Sequence, residues 1–270
     1  MKPKQAVISM LSAVIVAGIW GMPAAAHING MEEILQNTKV SESESTFYMD
    51  DTVNNNGLYK MDSNYRFVPV NDTASARKVL LTFDDGPKDR AVLEKLLGVL
   101  EKHSAKAIFF VNGIHVEKHP ELLRLIDRSG QTVGNHTWSH PDLRKLPPEE
   151  AAREIQYVQD IVSKIIGKKP RFFRPPYGSG NEQVRRIAKN HALLYMTWSN
   201  GSLDWAESAR NNPAAVIRNV MSQLHPGANI LMHEVPWTAD ALDSLLSNLE
   251  AQGYGFIDPA AIIVPAGSAK

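Results

Sequence analysis

Cysteine is absent from the 270 residues. That excludes disulfides, thiolate nucleophiles and cysteine-based zinc sites, whatever the compartment. An excess of one charge is lacking too, with 29 Lys and Arg against 29 Asp and Glu. Without a net field to draw polyanions, no nucleic-acid partner is expected. The chain has no internal repeat, and no low-complexity stretch beyond a polar N-terminal region. What remains is ordinary globular composition, 43% hydrophobic and 21% charged, with length for one large domain plus extras.

The N-terminus carries a targeting pattern. "MKPK" is a short basic region, residues 6–26 are uncharged and mostly apolar, and "PAAA" before His27 offers a small-residue cleavage site. Residues 1–26 read as a signal peptide cut after Ala26. The alternative is an uncleaved anchor, because about 20 apolar residues suffice to span a bilayer. Gly18, Gly21 and Pro23 crowd the end of the run and favour cleavage. Either way the remainder is expected outside the membrane, secreted into the cell-wall space or anchored facing outward. Residues 27–77 are polar and punctuated by "SESES" and "DDTVNNNG", which reads as a linker or extension with a short outer strand at residues 67–70.

From Lys78 the pattern changes. "KVLLTF", "AKAIFFVNG", "TVGNH", "RFFRPP", "HALLYMTWS", "ANILMHE" and "YGFID" read as strands. Between them lie segments of helical period, among them "AVLEKLLGVLE", "PELLRLIDRSG", "EQVRRIAKN" and a long helix that starts on Pro and Glu and stops at Gly167. About seven β/α repeats imply a parallel sheet covered by helices. Periodicity alone leaves a closed barrel and an open doubly wound sheet both open.

In such folds the site forms at the carboxyl ends of the strands. The strand "VLLTF" ends in Asp84-Asp85, and "TVGN" in His136 with His140 four residues on. "RFF" is followed by Arg174-Pro-Pro-Tyr177-Gly178, a later strand by Asp204-Trp205, and "NILM" by His233-Glu234. Two adjacent carboxylates repel, so one should have a cation partner. The H-x-x-x-H spacing of "HTWSH" can bring two imidazoles together on one side of a helical turn. One Asp and two His form a three-donor set that leaves room for water, as catalytic metals require. Singly, each has a plainer reading: Asp84-Asp85 as a turn or cap, Arg174 as a salt-bridging surface residue, Trp198 and Trp205 as core. Their joint occurrence in strand-end order argues for a site.

"TFDDGP", "HTWSH", "RPPYG", "SLDW" and "LMH", in this order, resemble the five motifs of the polysaccharide deacetylases, the NodB-homology group also known as carbohydrate esterase family 4. The resemblance covers residues 78–264, expected to be the catalytic domain. It is nearest to peptidoglycan N-acetylglucosamine and chitin-type deacetylases. It implies an α/β fold, a distorted (β/α)7 barrel, and one divalent metal, Zn²⁺ first, with Co²⁺, Ni²⁺ or Mn²⁺ compatible. By position, Asp85, His136 and His140 would be the metal ligands and Asp84 the general base held by Arg174. The Tyr177 N–H would face the oxyanion. Asp204 would tune His233, the general acid, and Trp205 and Leu231 would wall the acetyl pocket. The implied activity is hydrolysis of N-acetylglucosamine acetamides in an acetylated glycan such as peptidoglycan or chitin. O-Deacetylation of a xylan-like polymer and an inactive glycan-binding barrel are the alternatives. Two departures stand out: Asn200, where relatives often carry an acid, and Glu234, where Asp is common. Both bear on pH optimum and substrate preference.

Overall fold

The computed structural model describes residues 58–265. The expected signal peptide and most of the expected linker lie outside the described residues. Strand β1 (Tyr59–Met61) pairs antiparallel with β2 (Phe67–Pro69). The parallel strands are β3 (Lys78–Gly86), β4 (Ala107–Val111), β5 (Thr132–Asn135), β6 (Phe172–Phe173), β7 (Leu194–Tyr195), β8 (Asn200–Gly201), β9 (Asn229–His233) and β10 (Gly255–Phe256). The helices are α1 (Arg90–Lys102), α2 (Gly113–Lys118), α3 (Pro120–Arg128), α4 (Pro148–Ile166), α5 (Glu182–Asn190), α6 (Pro213–Ser222) and α7 (Pro236–Ala251). Among the described residues, no helix is long and apolar enough to cross a membrane.

The sheet order is β7-β6-β5-β4-β3-β9-β8, with β10 on the start of β3. β7 and β8 therefore sit at opposite edges although Tyr195 and Asn200 are only five residues apart. Five extended residues reach at most about 18 Å. Seven strands laid flat would separate the edges by about 29 Å. The sheet must curl until its edges approach, and the seam between β7 and β8 carries no ladder of its own. This is the distorted barrel that the motifs implied.

The period of two along each strand sorts the side chains into layers. In β3, Val79, Leu81 and Phe83 join the large cluster under the helices, while Leu80 joins a second cluster inside the curl. β4 splits likewise, with Phe109 and Val111 outward and Ile108 and Phe110 inward. β9 sends Ile230 and Met232 to the helix side. The complementary positions Thr82, Asp84, Asn229 and His233 carry the polar groups of the interior.

Residues 58–77 correct the composition-based boundary at Lys78. Tyr59 and Phe67, on the β1–β2 hairpin, are buried with Leu80, Ile108, Phe110, Phe172, Ile257 and Ile262. The Phe67 N–H donates to the Gly227 carbonyl at 2.8 Å, beside the start of β9. The hairpin thus closes the amino-terminal end of the barrel. The expected strand at residues 67–70 is β2. Its partner β1 escaped notice because three residues in a polar context leave little pattern.

Candidate active site

Asp84 and Asp85 reach one cavity because the strand does not end regularly. Asp84 points inward by alternation, in register with His233 on β9. Strict alternation would send Asp85 to the helices. Instead, the β3–β4 register shifts between Asp84 and Gly86, and Asp85 adopts a left-handed φ of 69°. The extra residue of the bulge re-aims its carboxylate towards the mouth.

His136 follows β5 directly. Its Nδ1 lies 2.7 Å from the Arg174 carbonyl. A carbonyl only accepts, so Nδ1 carries the hydrogen and Nε2 presents a lone pair to the cavity. That Nε2 lies 3.5 Å from Asp85 Oδ1, and His140 Nε2 lies 3.3 Å from the same oxygen. Among the described residues, Asp85, His136 and His140 are the group whose ligand atoms all lie within 4.8 Å of one another. The helical turn expected for H-x-x-x-H is not what brings them together. Residues 136–140 are irregular, and Thr137 and His140 take φ values of 69° and 62°. α4 holds this loop through Glu154, whose carboxylate accepts from the Ser139 N–H and hydroxyl at 2.8 Å each.

The donor set suits a divalent ion. Asp85 Oδ1 is buried and has no hydrogen-bond donor. Burial would raise the Asp85 carboxyl, but the neighbouring His136, with His233 and Lys88, outweighs it and holds it far below the usual carboxylate range. Burial, and then the neighbouring His136, push His140 down, which favours the neutral imidazole a metal needs.

Arg174 is 0% exposed and uses all five guanidinium donors. Nη1 donates to Thr82 Oγ1 at 2.7 Å and Asp84 Oδ1 at 2.8 Å. Nη2 donates to the Thr197 carbonyl at 2.8 Å and Asn229 Oδ1 at 3.1 Å, and Nε to Thr197 at 3.2 Å. Its guanidinium lies 4.4 Å from the centre of the Phe110 ring. The surface-residue reading of Arg174 is thereby excluded. Thr82, Thr197 and Asn229, which hold it, went unnoticed in the sequence because each is an unremarkable polar residue of a strand or loop.

On the other wall, His233 Nδ1 lies 2.7 Å from Asp204 Oδ1. Asp204 Oδ2 accepts from the His233 N–H at 2.7 Å and the Thr238 hydroxyl at 2.6 Å. Burial lowers the imidazole, but the Asp204 hydrogen bond and charge, with those of Asp84 and Asp85, raise it on balance. Trp205 packs edge-on to His233 with ring centres 5.3 Å apart and is 50% exposed. Tyr177 is 69% exposed, with φ 60° in the turn after Pro175-Pro176, and its ring packs against His140. The Ser179 hydroxyl donates to Asp142 Oδ1 at 2.7 Å, tying this turn to the His140 loop.

These groups enclose a cavity of about 400 Å³ whose lining includes Asp84, Asp85, His136, His140, Tyr177 and His233, together with Trp205 and Leu231. Trp198, read as core, also lines it. Asn200 does not: its Nδ2 donates to the Val220 carbonyl of α6 at 2.9 Å, so this departure bears on packing. Glu234 sits beneath the site. Its Oε1 accepts from the Lys88 and Asp89 N–H groups at 2.7 and 3.0 Å. Burial raises its carboxyl, against the pull of those two N–H groups.

Comparison with known proteins agrees with this geometry. Residues 71–196 match the profile described as polysaccharide deacetylase, a span that holds Asp84 to Tyr177 but not Asp204 or His233. The chain is 33% identical over 239 residues to the peptidoglycan-N-acetylmuramic acid deacetylase PdaC of Bacillus subtilis, covering 87% of this chain and 50% of that protein. It is 35% identical over 185 residues to a peptidoglycan-N-acetylglucosamine deacetylase of Bacillus cereus, covering 67% and 66%. The chain thus spans half of the first relative's length and about two thirds of the second's. The solved PdaC structure superimposes with a TM-score of 0.63 at 36% identity, covering 69% of this chain and 91% of that one. BA3943 of Bacillus anthracis, described as a CE4 family pseudoenzyme, gives a TM-score of 0.65 at 31% identity, over 68% and 64%. The fold, the motifs in their spatial order and these likenesses place the chain in the polysaccharide deacetylase family, carbohydrate esterase family 4.

Proposed function

We propose that this protein hydrolyses the acetamide of N-acetylated sugars in a cell-wall polysaccharide, with peptidoglycan as the foremost substrate, and releases acetate. The observation that carries the reading is the Asp85–His136–His140 group lining a cavity with a carboxylate base on one side and an imidazole acid on the other. Relatives named for peptidoglycan deacetylation support it. An extracellular substrate also agrees with the signal-peptide pattern of residues 1–26.

Asp85, His136 and His140 would hold a divalent ion, Zn²⁺ first given two imidazoles and one carboxylate. Bound there, such an ion supplies Lewis acidity and a water acidified to near neutrality. Asp84 takes a proton from the attacking water. Arg174 fixes the Asp84 carboxylate through Oδ1 at 2.8 Å and leaves Oδ2 to the cavity. The Tyr177 N–H donates to the oxygen that gains charge, a contribution of roughly 2.7–4 kcal/mol for one such donor. An amine leaves poorly unless protonated. Asp204 keeps the Nδ1 proton of His233 engaged, so Nε2 is the atom that protonates the leaving nitrogen. The raised pKa of His233 keeps that proton available near neutrality. Trp205 and Leu231 wall the site for the acetyl methyl.

The test is acetate release by the zinc-loaded protein from peptidoglycan, chitooligosaccharides and acetylated xylan in parallel. Release from peptidoglycan is expected, and isolation of the de-N-acetylated sugar assigns it to glucosamine or muramic acid. Release only from xylan would move the activity to the ester reaction. No release from any, with metal bound, would contradict the enzymatic reading.

A further inference from the structure

We propose that Glu234 is a positioning residue for this reaction, clamping the chain after the Asp84-Asp85 bulge to the strand that carries His233. The inference rests on the deacetylase reading for its kinetic arm only.

Glu234 follows His233 where β9 runs out. Its backbone N–H donates to the Asp84 carbonyl at 3.3 Å. Its side chain bends back, and Oε1 accepts from the Lys88 and Asp89 N–H groups at 2.7 and 3.0 Å. One residue thus grips the chain on both sides of Asp85. These N–H groups precede the first turn of α1, which Asp89 caps by accepting from Ala91 and Val92 at 2.8 and 3.1 Å. The β3–β4 ladder holds the bulge through Asp84 and Gly86, and the Asn112 N–H donates to the Gly86 carbonyl at 3.0 Å, so Glu234 adds the tie between residues 88–89 and the end of β9. The contact is tight. Glu234 is 5% exposed, Oε2 is buried without a partner, and a Cβ built on Gly86 would collide with that oxygen. An unpaired buried carboxylate oxygen is costly. The two N–H bonds to Oε1 offset part of that cost. The contact sets the ligand Asp85 and the base Asp84 against the acid His233, three groups from two strands.

Supporting side chains of metal ligands typically change metal affinity or activity by 10–100-fold when removed. Glu234→Ala should therefore bind Zn²⁺ about 10-fold more weakly by chelator competition, and lose about 10–100-fold in kcat with KM within about twofold. Glu234→Gln keeps a carbonyl oxygen at the Oε1 position, accepts the same two N–H groups, and should stay within about threefold of wild type in both readouts. Gly86→Ala should weaken metal binding in the wild-type background and add nothing in the Glu234→Ala background, where the collision is gone. Melting curves on the same samples verify folding. Wild-type metal affinity in folded Glu234→Ala would overturn the clamp. So would Glu234→Gln as impaired as Glu234→Ala, or a harmless Gly86→Ala. A wild-type protein that releases no acetate would overturn the deacetylase reading alone, because the metal-affinity comparison still reads the clamp.

Discussion

Arg174 shows why this interior takes arginine and not lysine. Five directed N–H groups meet Thr82, Asp84, Thr197 and Asn229 while the guanidinium plane lies over Phe110. A point ammonium cannot supply that fork. Arg174→Met leaves Asp84 as a buried, unpaired carboxylate, and breaking such a pair costs about 3–5 kcal/mol. Urea unfolding should show a loss of that size at pH 7, and a loss below about 1 kcal/mol would mean the pair is not buried in solution. In the proposed reaction Asp204 acts through His233, to which it is hydrogen-bonded at 2.7 Å. Because Asp204 raises the imidazole, Asp204→Asn should lower it, so the basic limb of kcat/KM moves to lower pH and the rate falls. Wild type and variant carry the same metal charge, so the difference isolates Asp204. A basic limb that stays put would assign the general acid elsewhere.

At the scale of elements, alternation was legible and its interruptions were not. "VLLTF" and "NILM" announce strands, and their period of two already places Asp84 and His233 on one face. The helix α5 lies where its pattern put it, at residues 182–190. Asp85 is different, because a bulge depends on the partner strand and leaves no mark in the local sequence. The His136–His140 loop likewise owes its shape to left-handed residues and to Glu154 on a distant helix. β8 consists of Asn200-Gly201, a dipeptide that reads as a turn. α2 and β1 are six and three residues long, too short for a period to declare itself. The β1–β2 hairpin looked polar because only Tyr59 and Phe67 carry its burial. Phe67→Ala should therefore destabilise the barrel by about 3–5 kcal/mol, a core-sized loss. A change within about 0.5 kcal/mol, as for a surface site, would show the hairpin is only loosely attached.

For the whole molecule, the curl of the sheet converts strand-end motifs scattered over 150 positions, from Asp84 to His233, into one cavity. Carboxyl-end placement is a property of parallel β/α topology, which is why the candidate site was readable before any coordinate. What topology cannot specify is the division of labour between two neighbouring aspartates. Asp84 pairs with Arg174 and lies 3.7 Å from His136 through its other oxygen, whereas Asp85 Oδ1 faces both imidazoles without a donor. We assign proton transfer to the first and metal binding to the second. The most direct measurement is bound zinc and acetate release on the same preparations of wild type, Asp84→Asn and His136→Ala. Asp84→Asn should retain about one equivalent of zinc and lose activity by about 10²–10⁴-fold, and His136→Ala should lose both. Equal zinc loss in the two variants, or an active Asp84→Asn, would contradict the assignment.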